Sequence, residues 1–315
     1  MGVRRAFAWL LVVPCAVWLA VRLLGLERGF PLVPLMAFTP FVAAVAVLVV
    51  AVTALLRQRA AALVATLLAC ALVVTVAPRA LGGPSAPDGP AGPRLRVLTA
   101  NMHFGEGSAE ALVALVRRAR PSVLSVQELT PGLARRLDAA GLVDLLPERV
   151  IDPRPRGPGI GLYASVALAR RPQPPGQRRY PLAVAAARPS GGRPVEVVAV
   201  HVTPPFRHQV ADWLSDLRAL PRATPDGPVR ILAGDFNATL DHAELRRLLD
   251  SGYEDAAAEV GAGLRTTWPN GRRVPPAVTI DHVLADARCG VQALSTHAIP
   301  GTDHRAVLAD VVLPR

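Results

Sequence analysis

In Arg230-Ile-Leu-Ala-Gly-Asp-Phe-Asn-Ala-Thr239 an apolar run ends in a carboxylate and an amide two residues apart. Side chains alternate along a strand, so Asp235 and Asn237 are expected to emerge on one face at a buried strand's end. An acid beside an amide suits the holding of a phosphate and of a water. A second signature, Gly301-Thr-Asp-His-Arg-Ala-Val-Leu-Ala-Asp310, sets Asp303 and His304 directly before another strand-like run. Other strand-like runs carry similar cargo: Asn101 after Leu95–Ala100, Glu128 after Val123–Gln127, His201 after Val195–Val200, and Asp281 with His282 after Val278-Thr-Ile. Singly, each has a structural explanation: a turn cap for Asn101, a surface ion pair for Glu128, a satisfied core position for His201. Jointly they point to metal-dependent phosphate chemistry.

These groups must be presented by the elements around them. Val-, Leu- and Ile-rich runs predict strands at Leu95–Ala100, Ser122–Gln127, Gly161–Ala169, Val195–Val202, Val229–Ala233, Thr279–Leu284 and Ala306–Val312. Helices are expected at Ser108–Arg120, Arg207–Leu220 and Asp241–Asp250, with Ser108 and Asp241 as N-caps. Many strands with a few intervening helices imply an α/β fold of two packed sheets with helices outside. Residues 94–315 are long enough to bury a substantial core as one domain.

Of the 315 residues, 51% are hydrophobic, high for a wholly soluble chain, and the excess lies at the N-terminus. Residues 6–21, 30–56 and 60–77 are apolar, separated by Arg22–Arg28 and by Arg57-Gln58-Arg59. A bilayer core needs about 20 helical residues, so residues 1–77 are expected to form three transmembrane helices, with Arg22 snorkelling from the first. By the positive-inside rule, Arg4 with Arg5 and Arg57 with Arg59 lie in the cytoplasm, and the chain beyond residue 78 lies outside. This is the pattern of a multi-pass plasma-membrane protein with an extracytoplasmic domain. A cleaved signal peptide over residues 1–26 is the alternative, but no small-residue cleavage site ends that segment. From Ala77 to Pro93 the Pro/Gly-rich sequence predicts an extended linker, residues 78–93, that stands the globular part off the bilayer at about 3 Å per residue.

The formal charge is +11 and every basic residue is arginine. Residues 1–60 hold six arginines and one glutamate, so the exported part carries only +6. That favours an anionic partner without specifying one. Cys15 and Cys70 lie in the expected spans, leaving Cys289 alone outside. An intradomain disulfide and a thiolate zinc cluster are thereby excluded.

With these residues in order, the chain resembles the endonuclease/exonuclease/phosphatase superfamily over nearly all of residues 94–315. The resemblance rests on Thr-Ala-Asn101, Gln127-Glu128, Gly159-Ile-Gly-Leu-Tyr-Ala-Ser165, His201, Gly234-Asp-Phe-Asn237, Ile280-Asp-His282 and Thr302-Asp-His304. It implies a four-layer α/β/β/α sandwich. It also implies Glu128 as principal ligand of a divalent cation, with Asn101 beside it and Asp303 as a second metal-associated carboxylate. Oxygen ligands suit Mg²⁺ or Mn²⁺. Asp235 would orient or deprotonate the attacking water and Asn237 would hold the phosphate. His304, oriented by Asp281, would bind the scissile phosphate or transfer a proton, and His201 matches the subgroup with a second active-site histidine. No acidic partner for His201 is identifiable. Arg156 is read as a solvated loop arginine, His282 as a packing neighbour and Trp268 as a core anchor.

The three-span arrangement is similar to the membrane proteins of this superfamily associated with teicoplanin-type resistance. That resemblance implies a membrane-anchored phosphohydrolase acting on an envelope phosphate or pyrophosphate, the substrate being a phosphorylated lipid or lipid-linked intermediate. An extracytoplasmic nuclease is the competing expectation, favoured by His201 and the basic surface. Aromatic residues make up only 4% of the chain, which argues against a stacking platform for single strands. A non-catalytic binding module would lack Glu128, Asp235 or His304, and all three are present.

Overall fold

The computed structural model describes residues 2–83, 91–176, 178–271 and 277–315. The N-terminal region forms α1 (Gly2–Leu24), α2 (Leu32–Met36), α3 (Thr39–Leu55), α4 (Arg59–Val76) and α5 (Pro78–Leu81). The apolar stretch 30–56 is therefore not one helix. It breaks at Ala37 and Phe38, and Pro40 starts α3 in the first turn, where a missing N–H is tolerated. Among the described residues two helices, α1 with 23 residues and α4 with 18, are long and apolar enough to cross a membrane, while α3 has 17. The three pack through Ala8, Val12, Ala43, Ala46, Ala61, Ala65 and Ala69, small side chains that let backbones approach closely. Leu10, Val17, Leu48, Leu63 and Leu67 face outward and are exposed.

Twelve strands follow: β1 (Arg94–Asn101), β2 (Val123–Gln127), β3 (Glu148–Asp152), β4 (Ile160–Ala164), β5 (Ala167–Arg170), β6 (Ala183–Arg188), β7 (Val195–His201), β8 (Arg230–Asp235), β9 (Tyr253–Asp255), β10 (Asp281–Asp286), β11 (Gly290–Ala298) and β12 (Arg305–Val312). They form two six-stranded sheets, ordered β11-β12-β1-β2-β4-β3 and β5-β6-β7-β8-β10-β9. Period-2 alternation divides each central strand between two cores. Leu95 and Val97 join Val195, Val197 and Ile231 between the sheets. Leu98 and Ala100 face α6 (Ala109–Ala119), α7 (Pro131–Ala139) and α8 (Leu142–Leu145). Val198, Val200 and Leu232 face α9 (Val210–Arg218) and α10 (Ala243–Leu249). The outcome is the expected pair of mixed sheets with helices on both outer faces. Ser108 caps α6 through its side chain, as expected, by accepting from Ala111 N.

Asp241 does something else. The N-cap of α10 is His242, and the Glu27 carboxylate accepts the Ala243 N–H at 2.5 Å. Asp241 is fully buried and binds two arginines from the N-terminal region. Arg22 Nε reaches Oδ1 at 2.8 Å, and Arg79 reaches Oδ2 at 2.8 Å and Oδ1 at 2.6 Å. His242 Nδ1 accepts from Thr239 N at 2.9 Å, which leaves Nε2 as the donor to Val33 O at 2.9 Å. Val33 itself packs in the core between the second sheet and its helices. The helical region is thus docked on the sandwich rather than held away from it. Correspondingly the expected linker begins as α5, and its residues 84–90 lie outside the described residues. Composition predicts extension for such a segment, yet Arg79 within it has a buried partner 162 residues away.

Candidate active site

Each sheet has one parallel pair at its centre, β1/β2 in the first and β7/β8 in the second. Parallel neighbours deliver their C-terminal ends to the same side. Asn101 pairs with Gln127, immediately before Glu128, and His201 pairs with Asp235. The antiparallel neighbours β10 and β12 contribute their starts to the same edge. Asp281 therefore lies opposite Asp235, and His304 immediately precedes β12 beside β1. The inter-sheet face turns polar toward that edge, running Leu95, Val97, Thr99, Asn101 on β1 and Val123, Ser125, Gln127 on β2.

Asp235 is the hub. Its Oδ2 accepts from Asn101 Nδ2 at 2.9 Å and from Asn237 Nδ2 at 3.3 Å, and its Oδ1 accepts from Asn237 N at 2.8 Å. Asn101 Nδ2 also donates to Glu128 Oε1 at 3.2 Å, so one amide holds both acids in register. His304 Nδ1 lies 2.9 Å from Asp281 Oδ2, and its Nε2 is 3.7 Å from Asp235 Oδ2. Thr302 Oγ1 donates to Asn101 O at 2.7 Å and accepts from His304 N at 3.1 Å, tying the histidine's turn to the end of β1. Gly234 is needed beside the hub, because a Cβ there would meet Val200 O at 1.9 Å.

Asn237 does not reach the site by strand alternation. β8 stops at Asp235, and a left-handed turn with φ 46° at Asn237 returns it to the carboxylate. Glu128 leaves β2 with φ 56°, and His103 and Phe104 have φ 44° and 52°. Such backbone costs about 1–3 kcal/mol per non-glycine residue, with Asn the most tolerant, and tends to collect where side chains must converge.

The cavity above these groups has a volume of about 770 Å³ and is lined by Glu128, Asp235, Asn237, His201, Asp303 and His304 among others. Asn101 and Asp281 stand behind them. Burial lifts the Glu128 carboxyl above the usual carboxylate range, and burial lifts Asp235 as well, against the opposing pull of His304. Burial alone would lower His304, but Asp281 and Asp235 raise it well above an ordinary histidine. His201, buried and facing His304, is pushed down to about 3 and is neutral. No arginine lines the cavity among the described residues. Carboxylates without a cation would repel a phosphate, so this donor set fits a divalent ion. Asp235, Asp281 and His304 offer ligand atoms within 4.8 Å of one another. His304 Nδ1 is already committed to Asp281, and the oxygen-rich grouping around Glu128 suits a hard cation better.

Other expected residues fall in varied places. Asp303 Oδ2 accepts from Trp268 Nε1 at 3.1 Å and Oδ1 lies 2.8 Å from His103 Nδ1. Trp268 is therefore part of the cavity wall and not a core anchor. His282 is a buried packing neighbour, bonded to Asp255 at 2.7 Å and to Ala238 O at 3.0 Å. Arg156 is exposed and does not line the cavity. Among the described residues, His201 has no carboxylate within hydrogen-bonding distance: Nε2 lies 3.8 Å from Glu128 and 3.9 Å from Asp235. Its ring packs on Tyr180, centroids 4.7 Å apart. Buried Asp216 accepts from Arg179 N and Thr203 N, fixing the loops that carry Tyr180 and follow His201. His103, Phe104 and Tyr180 were not marked by strand-end position, although His103 follows Asn101 by two residues.

Residues 98–304 match the model of the Endonuclease/Exonuclease/phosphatase family. No curated protein matches the chain in sequence. Among solved structures, an endonuclease/exonuclease/phosphatase from Beutenbergia cavernae aligns with TM-score 0.54 and 19% identity, over 70% of this chain and 72% of that one. The D. rerio TDP2 structure with single-strand DNA product aligns with TM-score 0.56 and 17% identity, over 69% and 98%. The 3' phosphatase NExo from Neisseria, bound to product DNA hairpin, aligns with TM-score 0.51 and 16% identity, over 68% and 98%. At these identities the structural likeness speaks to the fold. With the family match spanning most of the sandwich and its site, this chain belongs to the endonuclease/exonuclease/phosphatase family and is a metal-dependent phosphoester hydrolase.

Proposed function

We propose that this protein is a membrane-anchored phosphohydrolase that cleaves a phosphate ester or pyrophosphate bond of an extracytoplasmic, lipid-linked substrate, in the manner of the teicoplanin-resistance-associated branch. The observation that carries this reading is the joint at Asp241, four residues beyond Asn237, which fixes the site's own loop to the apolar helices through Arg22 and Arg79. The C-terminal ends of α1 and α4 and the N-terminal end of α3 meet the sandwich, so Arg4, Arg5, Arg57 and Arg59 collect at the far end. At 1.5 Å per residue these helices run about 25–35 Å, which supports three passes with the arginine clusters inside. Residues 1–77 then form the membrane domain and 94–315 the catalytic domain. A periplasmic-type reporter fused after Arg315 is expected to be active. Activity only of a cytoplasmic reporter would overturn this topology.

Glu128, Asn101 and Asp303 would hold Mg²⁺ or Mn²⁺, which supplies charge neutralisation at the phosphate when bound. Asp235, oriented by three donors, takes a proton from the water as its oxygen attacks phosphorus. Asn237 borders the phosphate. His304, held by Asp281, donates its Nε2 proton to the leaving oxygen as the P–O bond breaks. The proton on Asp235 then returns to His304, whose Nε2 is 3.7 Å away, restoring both groups.

The DNA products bound to TDP2 and NExo favour a nuclease as the second reading. The phenylalanines and prolines in the cavity lining favour the first. Full-length protein in detergent with Mg²⁺ is expected to release phosphate from a polyprenyl pyrophosphate, to lose this activity in EDTA, and to leave plasmid DNA intact. Nicking of the plasmid without lipid hydrolysis would establish the nuclease instead.

A further inference from the structure

The catalytic cavity does not end at the sandwich. Its lining also includes Pro34 from α2, Ala37 and Phe38 from the break between α2 and α3, and Pro205 and Phe206 from the loop after β7. Phe38, Phe104 and Phe206 all line the space, three of the chain's seven phenylalanines. Phe30 packs edge-on against Phe206, centroids 5.8 Å apart, so the N-terminal region and the sandwich share one aromatic surface. That surface is open: Phe38 is 39% exposed and Phe206 56%. The wall is also firmly held, because Val33 is buried in the sandwich core and its carbonyl accepts from His242.

The cavity therefore combines carboxylates that suit a cation with aromatic and proline side chains, of which Pro34 and Phe38 come from the N-terminal helical region. A polynucleotide would need basic groups beside the site to meet its neighbouring phosphates. Among the described residues no arginine lines the cavity, and the Arg207 guanidinium stacks on Phe206 at 5.5 Å. A molecule with a single phosphorylated head and a long hydrocarbon tail matches both kinds of lining.

Resting on the lipid-phosphohydrolase reading above, we propose that the Pro34–Phe38 turn and the Pro204–Phe206 loop form a hydrocarbon-binding wall. The N-terminal helical region is then part of the substrate site as well as an anchor, and Phe38 and Phe206 set chain-length specificity. The head meets the carboxylates, and the first segment of the tail lies between the two phenylalanines.

The test uses full-length protein in detergent micelles with Mg²⁺ and three probes: geranyl pyrophosphate, a long-chain polyprenyl pyrophosphate and a diacyl phosphatidate. The quantity read is the kcat/KM of each long-chain probe divided by that of geranyl pyrophosphate. Phe38→Ser and Phe206→Ser are each expected to lower this ratio about tenfold, the scale of one lost aromatic burial, chiefly through KM. Residual turnover of geranyl pyrophosphate reports that each variant is folded. A fall for both long-chain probes assigns the wall to hydrocarbon in general, and a fall for the polyprenyl probe alone assigns it to polyprenols. Wild-type ratios in both variants, or an equal loss on all three probes, would overturn the proposal while leaving lipid hydrolysis in place. DNA cleavage with no lipid turnover by the unmodified protein would remove both readings together.

Discussion

An Asp235→Asn protein is expected to fold and to turn over substrate about 10²–10⁴-fold more slowly, the scale of a positioned general base. The substitution is isosteric, and the amide oxygen can still accept from Asn237 N. The lost function is basicity, since an amide cannot take the proton of the attacking water. Stability should move the other way. Burial raises the folded-state value of Asp235 above its ordinary 3.8, so without a cation its contribution is complete below 3.8 and is lost as pH rises through the raised value. Metal-free Asp235→Asn is therefore expected to melt no lower than the metal-free wild type at neutral pH, and to gain less from added Mg²⁺. Scanning fluorimetry with and without metal, beside initial rates, separates these effects. Turnover within threefold of wild type, a bound set roughly an order of magnitude below the expected loss, would remove Asp235 from the mechanism.

The second large effect lies at the joint. Asp241→Ala is expected to cost about 3–5 kcal/mol, because it leaves Arg22 and Arg79 buried without their counter-ion. A shape-matched apolar replacement of all three, Arg22→Met with Arg79→Met and Asp241→Leu, should recover most of that loss. Burial would raise Asp241, but its bonds to Arg79 and Arg22 prevail and hold it below its ordinary 3.8. Its contribution is thus complete above 3.8 and fades as pH falls through the lower folded value. Thermal melts in detergent at several pH values would show this acid limb in wild type and not in Asp241→Ala. A loss below about 1 kcal/mol would mean that water reaches the arginines and that the pair behaves as a surface one.

The central strands and the polar residues at their ends were legible because a strand buried on both faces is an unbroken apolar run, and polarity at its end stands out. The missed strands have physical reasons. β3, β9 and β11 are sheet edges, one with an exposed charged start, one of three residues and one half exposed, so none shows a buried run. β6 reads Ala-Val-Ala-Ala-Ala-Arg, small residues with little strand preference. The convergence of Asp235, His304 and Asp281 could be anticipated from the resemblance, but Asn237 arrives by a left-handed turn that alternation does not foresee. Least legible was the N-terminal contribution. Val33, Pro34 and Phe38 sit in an apolar stretch whose composition speaks only of lipid, and Asp241 looks like a helix cap until the arginines arrive from far along the chain.

The two sheets each hold half of the proposed chemistry. Asn101, Glu128 and His304 belong to the first, and His201, Asp235, Asn237 and Asp281 to the second. Asn101 to Asp235, His304 to Asp281 and Ser125 Oγ to Ala233 O are among the bonds that cross between them. Donor and acceptor therefore keep their spacing only as long as the layers neither slide nor close. A methyl group added or removed at Val97 or Ile231, remote from any reacting atom, acts like a shim beneath an optical bench. The rate of this enzyme is adjustable from the part of the molecule with the least chemistry in it.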